Sequence, residues 1–180
     1  MWGGKIMGSV KYDVPLIRQV HNPICLLACA AMVVSERLGR SVGISRFANG
    51  FDPNSASLED GTEDHSGQIQ LMSQWGFNCV NINPTNEEIE QVLRTCGPFI
   101  LSHKSGDIPT YGVYPPDPKN DGYHAVVITG LDSTLTVGGI CWINNPAGQK
   151  DFPVPLGVIV AAVIRRQADG QGRAVYYYRQ

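Results

Sequence analysis

The 180-residue sequence contains no Cys-x-x-Cys pair, and its four histidines, His21, His65, His103 and His124, stand far apart along the chain. A zinc site normally announces itself through closely spaced ligands, so neither a metal nor any other cofactor is expected. Five cysteines cannot all pair within one chain, and their positions lack the spacing of a disulfide scaffold, which suits a reducing compartment. Charge is scarce as well. With 17% charged residues, a net charge of −2 and scattered Lys and Arg, the chain has nothing to counter a phosphate backbone, which excludes nucleic acid as a partner. Long apolar runs are missing. The most apolar stretch, Val158 to Ile164, stops at Arg165 and Arg166 and is far shorter than the roughly 20 residues a membrane helix needs; it reads as a buried strand. Met1 to Val10, broken by Gly3, Gly4 and Gly8, lacks the continuous apolar core of a secretory signal, so no export address and no membrane association are expected.

What is present is an apolar fraction of 43%, enough to build a hydrophobic core, and one domain over residues 1–180 is the expectation. Asn22-Pro23 is a helix-start signal, and the apolar run from Ile24 through Val34, closed by Gly39, predicts a helix buried on every face. Residues 41–64 read as a long connection rich in Gly, Asn, Ser and Asp, with at most short helical pieces. Ser66 to Trp75 has helical spacing, Phe77 to Ile82 reads as a strand, and Thr85 with Glu88 forms a capping-box pattern for a helix ending at Cys96 before Gly97-Pro98. Phe99 to Leu101 is a further strand, followed by a Pro- and Gly-rich surface insertion from Gly106 to Gly122. Beyond it, Tyr123 to Thr129, Ile140 to Asn144, Val158 to Ile164 and Val175 to Tyr178 are strand-like. Helices first and strands second argue an α+β fold.

A thiol attacks a carbonyl as thiolate, and its pKa falls at a helix N-terminus beside a cationic histidine. Cys25 holds such a position; Cys29, Cys79, Cys96 and Cys141 read as ordinary packed cysteines, which is the usual fate of a free thiol. Upstream, Gln19 can donate its side-chain amide to an oxyanion beside the Cys25 N–H. The spacing Gln19-Val20-His21-Asn22-Pro23-Ile24-Cys25 resembles the oxyanion glutamine and nucleophile of papain-like cysteine peptidases. Its continuation to Met32, with Cys29 and Ala31-Met32, resembles the double-glycine leader peptidase domains of bacteriocin exporters. Tyr123 to Gly130 resembles the strand that the family's histidine opens, and Trp142 to Gly148 its Asp- or Asn-Pro strand end.

That resemblance implies a papain-like fold in which a buried N-terminal helix carries Cys25 as nucleophile and packs against a twisted antiparallel sheet. It further implies His124 as base, Asn145 as the residue that orients it, and Gln19 in the oxyanion hole, with Asn144 as the alternative orienting residue should the strand register be shifted by one. A plain turn is the other reading of Asn144-Asn145-Pro146. Asp is commoner than Asn at this position in exporter-type domains, and Leu26 stands where those domains have Gly. His21 could line the cleft, and His103 has no matching context. The expected activity is hydrolysis of a protein or peptide substrate, with cleavage after Gly-Gly and with Leu26 and Trp142 as candidate walls of a narrow cleft. An amidase or deamidase on the same fold, or an inactive peptide-binding module, are the rivals. A compact catalytic chain of this kind resembles bacterial effector or toxin proteases, either cytoplasmic or delivered into another cell, for which an inhibitory, immunity-type partner protein is expected.

Overall fold

The computed structural model describes residues 8–19, 24–47, 65–109, 123–135, 138–168 and 175–179. Within them the strands are β1 (Ser9–Lys11), β2 (Phe77–Val80), β3 (Phe99–Lys104), β4 (Tyr123–Asp132), β5 (Ile140–Asn145), β6 (Gln149–Pro155) and β7 (Val175–Tyr178), and the α-helices are α1 (Cys25–Leu38), α2 (His65–Gln74), α3 (Asn86–Cys96) and α4 (Leu156–Arg166). The strands form one sheet in the order β2-β7-β3-β4-β5-β6, with β1 pairing the far end of β4. Every pairing is antiparallel.

Side chains alternate across a strand, and here both faces of the sheet are apolar. On one face Ile100, Ala125, Val127, Phe77 and Tyr176 pack against α1, whose residues from Leu26 to Ser35 are buried without interruption. On the other, Phe99, Leu101, Val126, Ile128, Cys141, Ile143 and Val154 pack against Ile89, Val92 and Leu93 of α3 and Leu156, Ile159, Ala162 and Val163 of α4. The expected α+β architecture, with α1 buried against an antiparallel sheet, is therefore the observed one. One polar side chain in the buried stretch of α1, Ser35, is satisfied: its Oγ accepts from Val42 N–H at 2.8 Å as the chain leaves the helix. That exit runs through Gly39, whose φ of 60° is the left-handed conformation favoured at helix ends.

The Thr85 cap forms as expected, with its Oγ1 accepting from Glu88 N–H at 3.2 Å. Val158 to Ile164 is not a strand: it lies within α4. The buried positions of that helix, Leu156, Ile159, Ala162, Val163 and Arg166, recur every three or four residues, while Ile164 is 49% exposed. A short β-branched run cannot be told from a buried helix by hydrophobicity alone, and one-sided burial settles it here. β1 and β6 were not anticipated; β6 carries Pro153 and Pro155, residues that argue against an interior strand, and it lies at the sheet edge where they are tolerated. The anticipated helix start at Asn22-Pro23 lies outside the described residues, and α1 begins at Cys25 with Ile24 preceding it. Of the connection at 41–64 the described part contains a short 3-10 turn, Ile44–Phe47. Residues 110–122 of the proline-rich insertion also lie outside.

Asn144 links three parts of the chain. It is fully buried; its Nδ2 donates to Val14 O at 2.8 Å, and its Oδ1 accepts from Asp151 N–H at 2.8 Å. Deleting both bonds leaves a buried carbonyl at Val14 and a part-buried N–H at Asp151 without these partners, at up to about 1–3 kcal/mol each. Asn144→Ala is expected to lower unfolding free energy by about 2–4 kcal/mol, read as a fall in the urea midpoint at unchanged slope; an unchanged midpoint would show that the amide does not tie these segments together.

Candidate active site

β5 ends at Asn145, and the chain turns through Pro146, Ala147 and Gly148 into β6. Gly148 N–H donates to Asn145 O at 2.9 Å, closing the turn. Gly148 has φ of 124°, a conformation disfavoured for any residue with a side chain, and a Cβ there would stand 3.4 Å from the Arg18 guanidinium. The hairpin places Asn145 and Gln149 directly opposite one another.

The Asn145 amide, fully buried, is held at both ends. Its Oδ1 accepts from Ala147 N–H at 3.0 Å and lies 2.9 Å from His124 Nε2, while its Nδ2 donates to Gln149 Oε1 at 3.0 Å. A backbone N–H can only donate, so the atom facing Ala147 must be the oxygen, and the direction of the amide follows from backbone chemistry. His124 Nε2, facing that same oxygen, must then carry a proton. In the neutral imidazole this leaves Nδ1 as the bare, basic nitrogen.

His124 is the second residue of β4 and pairs across the sheet with His103 of β3. The two rings meet edge to face, with centroids 5.6 Å apart and planes at 86°. His103 is 1% exposed and its Nδ1–H donates to Lys104 O at 2.8 Å. Burial, reinforced by the neighbouring His124 and by the Arg166 cation and only partly opposed by the Lys104 carbonyl, pulls its pKa down to about 3, so it stays neutral. Burial also lowers the pKa of His124, with the Asn145 hydrogen bond pulling the other way. Arg166 itself is fully buried, its guanidinium 3.6 Å from the centre of the Tyr123 ring.

Cys25 is the first residue of α1 and half-buried, at the margin of the apolar cluster that joins the helix to Ala125 and Val127, the β4 residues just beyond His124. No acidic residue occupies the first helical turn, so the positive end of the helix acts on the thiol unopposed from within the helix. Burial, and then the neighbouring Cys25, raise the Cys29 pKa well above the ordinary thiol value, and burial pushes Cys141 up to about 12, which makes both unfit as nucleophiles near neutral pH. Gln19 reaches the same region through its backbone: its N–H donates to Pro146 O at 2.9 Å, tying the loop before Cys25 to the turn after Asn145.

The side chain facing His124 is thus that of Asn145, whereas Asn144 points to Val14 and Asp151. His21 lies outside the described residues. Trp142 is not a cleft wall: its register partner is Gly130, six residues along β4 from His124 and so roughly 20 Å away, and its ring packs under Lys11 Nζ at 5.0 Å. Two residues beside the site went unremarked or were set aside in the sequence. Gln149 could have been found from Asn145-Pro146-Ala147-Gly148, because a three-residue hairpin loop places its flanking residues opposite each other. His103 gives no local signal. Among the described residues no group of His, Cys, Asp and Glu could hold a metal ion, and no helix is long and apolar enough to cross a membrane.

The description "Peptidase_C39 like family" matches residues 11–158, a span that includes Gln19, Cys25, His124 and Asn145. Among solved structures, a protein of Bacillus anthracis described as C39-like peptidase is similar over 95% of this chain and 98% of its own, with a TM-score of 0.57 at 18% identity. A double glycine motif protease from an AMS/PCAT transporter, solved in complex with the leader peptide, is similar over 96% and 99%, with a TM-score of 0.53 at 16% identity. The peptidase domain of Streptococcus ComA, a bi-functional ABC transporter involved in a quorum sensing pathway, is similar over 92% and 98%, with a TM-score of 0.50 at 16% identity. No curated protein matches this chain. At these identities the structural neighbours speak for the fold, and the match over residues 11–158 speaks for the family: this chain belongs to the Peptidase_C39 like family and is a cysteine peptidase.

Proposed function

We propose that this peptidase is an endopeptidase that works through Cys25, His124 and Asn145, with Gln19 completing the oxyanion hole, and that it cuts protein substrates after a Gly-Gly pair. The observation that carries the site assignment is the 2.9 Å contact between His124 Nε2 and an Asn145 oxygen whose orientation Ala147 N–H dictates. With the proton held on Nε2, His124 Nδ1 takes the proton from the Cys25 thiol as the sulfur bonds to the scissile carbonyl carbon. The carbonyl electrons move onto oxygen, which the Cys25 N–H and the Gln19 amide hold. Collapse of this intermediate breaks the C–N bond, and the departing amine takes the proton from His124. Water, deprotonated by His124, then attacks the thioester; the second intermediate expels the thiolate, which recovers its proton, and a new carboxyl terminus leaves.

Support for Gly-Gly specificity is the likeness of Cys25 to Met32 to double-glycine leader peptidases, together with the fold shared with a protease solved on a leader peptide. Residues without a Cβ let substrate backbone approach a narrow cleft closely, and Leu26, 8% exposed beside Cys25, remains a candidate wall. Action as an effector or toxin delivered into another cell, with an inhibitory partner in the producer, completes the reading and rests on the sequence resemblance alone.

Cys25→Ala and His124→Ala are expected to abolish turnover. Asn145→Ala is expected to lower kcat/KM by about 10- to 150-fold, the worth of a hydrogen bond of ~1.5–3 kcal/mol to a group that becomes charged; Asn145→Ala turnover equal to that of the parent would refute the orienting role. Because burial holds the His124 pKa below the ordinary imidazole value, the acid limb of kcat/KM should fall below pH 6.5. Asn145→Ala should move that limb to still lower pH, since the lost bond favours the cation. A peptide library tests the specificity separately: strong preference for Gly at both positions before the cut supports it, and equal cleavage after Leu, Phe or Arg sinks it.

A further inference from the structure

An orienting carboxylate has two equivalent oxygens, but an orienting amide has two unlike ends, and only one of them serves His124. The other end of Asn145, its Nδ2, is buried with the rest of the side chain and so needs an acceptor of its own. Gln149 supplies it. Its Oε1 lies 3.0 Å from Asn145 Nδ2, and the two residues are directly opposed across the β5–β6 hairpin, so the pairing is built into the register of the strands.

We propose that Gln149 is a positioning residue of the peptidase, a third member of a His124–Asn145–Gln149 chain that holds the orienting amide in the plane and direction His124 requires. The proposal rests on the reading of His124 and Asn145 given above. Ala147 N–H prevents the amide from turning over, but it and His124 both meet Oδ1 and leave the NH2 end able to swing; Gln149 anchors that end. A glutamine is also suited to either partner. Opposite Asn it presents its oxygen, and opposite Asp it can rotate and present its NH2, so Gln149 accommodates both residues that can orient a histidine.

The other charged or titratable groups near the imidazole and the turn behind it are His103 on β3, Arg166 on α4, Cys25 on α1 and Arg18 against Gly148, and the acceptor that Asn145 Nδ2 meets is Gln149 Oε1. Changes at Gln149 therefore reach His124 through Asn145. Gln149→Leu removes the acceptor at similar volume and is expected to lower kcat/KM on the order of 10-fold, chiefly in kcat. Gln149→Glu keeps the acceptor and adds negative charge, so activity is retained and the acid limb of kcat/KM moves to higher pH. With Asn145→Asp the pattern inverts. The Asp variant stays active beside Gln149, but adding Gln149→Glu sets two carboxylates against each other and activity collapses.

This reversal of sign for one substitution is something a residue that merely supports the fold would not produce. A measurement independent of turnover is the imidazole N–H signal of His124 in 15N-edited NMR spectra: it should be protected from exchange in the parent and in Gln149→Glu, and lost in Gln149→Leu. Should Gln149→Leu match the parent in kcat/KM, acid limb and N–H protection while Cys25→Ala is dead and His124→Ala is dead, Gln149 has no positioning role and the catalytic reading stands. Turnover surviving His124→Ala would remove the catalytic reading and this proposal with it.

Discussion

A helix with no polar face has only one stable environment, the inside of the protein, and that constraint organises the rest. From Leu26 to Ser35 α1 is buried at every position, enclosed by Val14, Val42, Phe47, Met72 and one face of the sheet. Burying ten consecutive residues on all sides requires cover on the sheet side and on the opposite side, and it leaves the helix no freedom to roll or slide. Only the two ends can meet solvent. At the C-terminal end Gly39 turns the chain out; at the other end stands Cys25, half-buried where the remainder is closed. The packing that makes the helix also separates its two cysteines: burial, with the neighbouring Cys25 adding to it, raises the Cys29 pKa one turn later, while Cys25 stays half-buried.

The sheet side of the site is set by a different kind of constraint, hydrogen-bond direction. A turn of three residues returns β5 into β6, and within it one backbone donor, Ala147 N–H, determines which end of the Asn145 amide faces inward. From that single direction follow the proton on His124 Nε2 and the bare Nδ1. The same turn anchors Gln19 through Pro146 O, so the loop preceding Cys25 and the strand end carrying Asn145 share one fixed point. Asn144, the neighbour on the opposite face, performs the structural half of the task by binding Val14 and Asp151. Two adjacent asparagines thereby divide the work, one tying segments and the other facing the imidazole.

What could be read in the sequence was what local chemistry dictates. Thr85 and Glu88 mark a helix start because the cap is made within four residues, and α1 is legible because eleven apolar residues in a row leave no alternative to burial. The helix at Leu156–Arg166 was misread because Val158, Ile159, Val160, Val163 and Ile164 favour strands intrinsically, while the information that makes them helical is tertiary: one face against the sheet, the other toward solvent. The preference for Asn145, with Asn144 as the fallback, comes from the family resemblance, since local chemistry does not fix a strand register that a one-residue slip reverses. The His103–His124 contact was invisible for the same reason: it joins residues paired across two strands, with the insertion between them.

These long-range contacts also decide the electrostatic character of the site. His103, kept neutral chiefly by burial, meets the His124 ring edge to face, Arg166 stacks on the Tyr123 ring, and Asn145 brings a dipole where Asp would bring a full charge. Burial disfavours a standing imidazolium and lowers the pKa of His124, and the Asn145 hydrogen bond opposes that shift only in part. The helix N-terminus, in contrast, favours a thiolate at Cys25. The two halves of the site therefore differ in what they promote: the helix stabilises negative charge on sulfur, whereas the sheet makes positive charge on the imidazole costly. In the proposed mechanism, a proton passed from sulfur to His124 would be held only weakly, and weak holding would favour its passage to the leaving amine once the carbonyl has been attacked. Under the proposed roles, the neutral amide at Asn145 would orient the ring while deepening the well in which the proton sits less than a full carboxylate charge would.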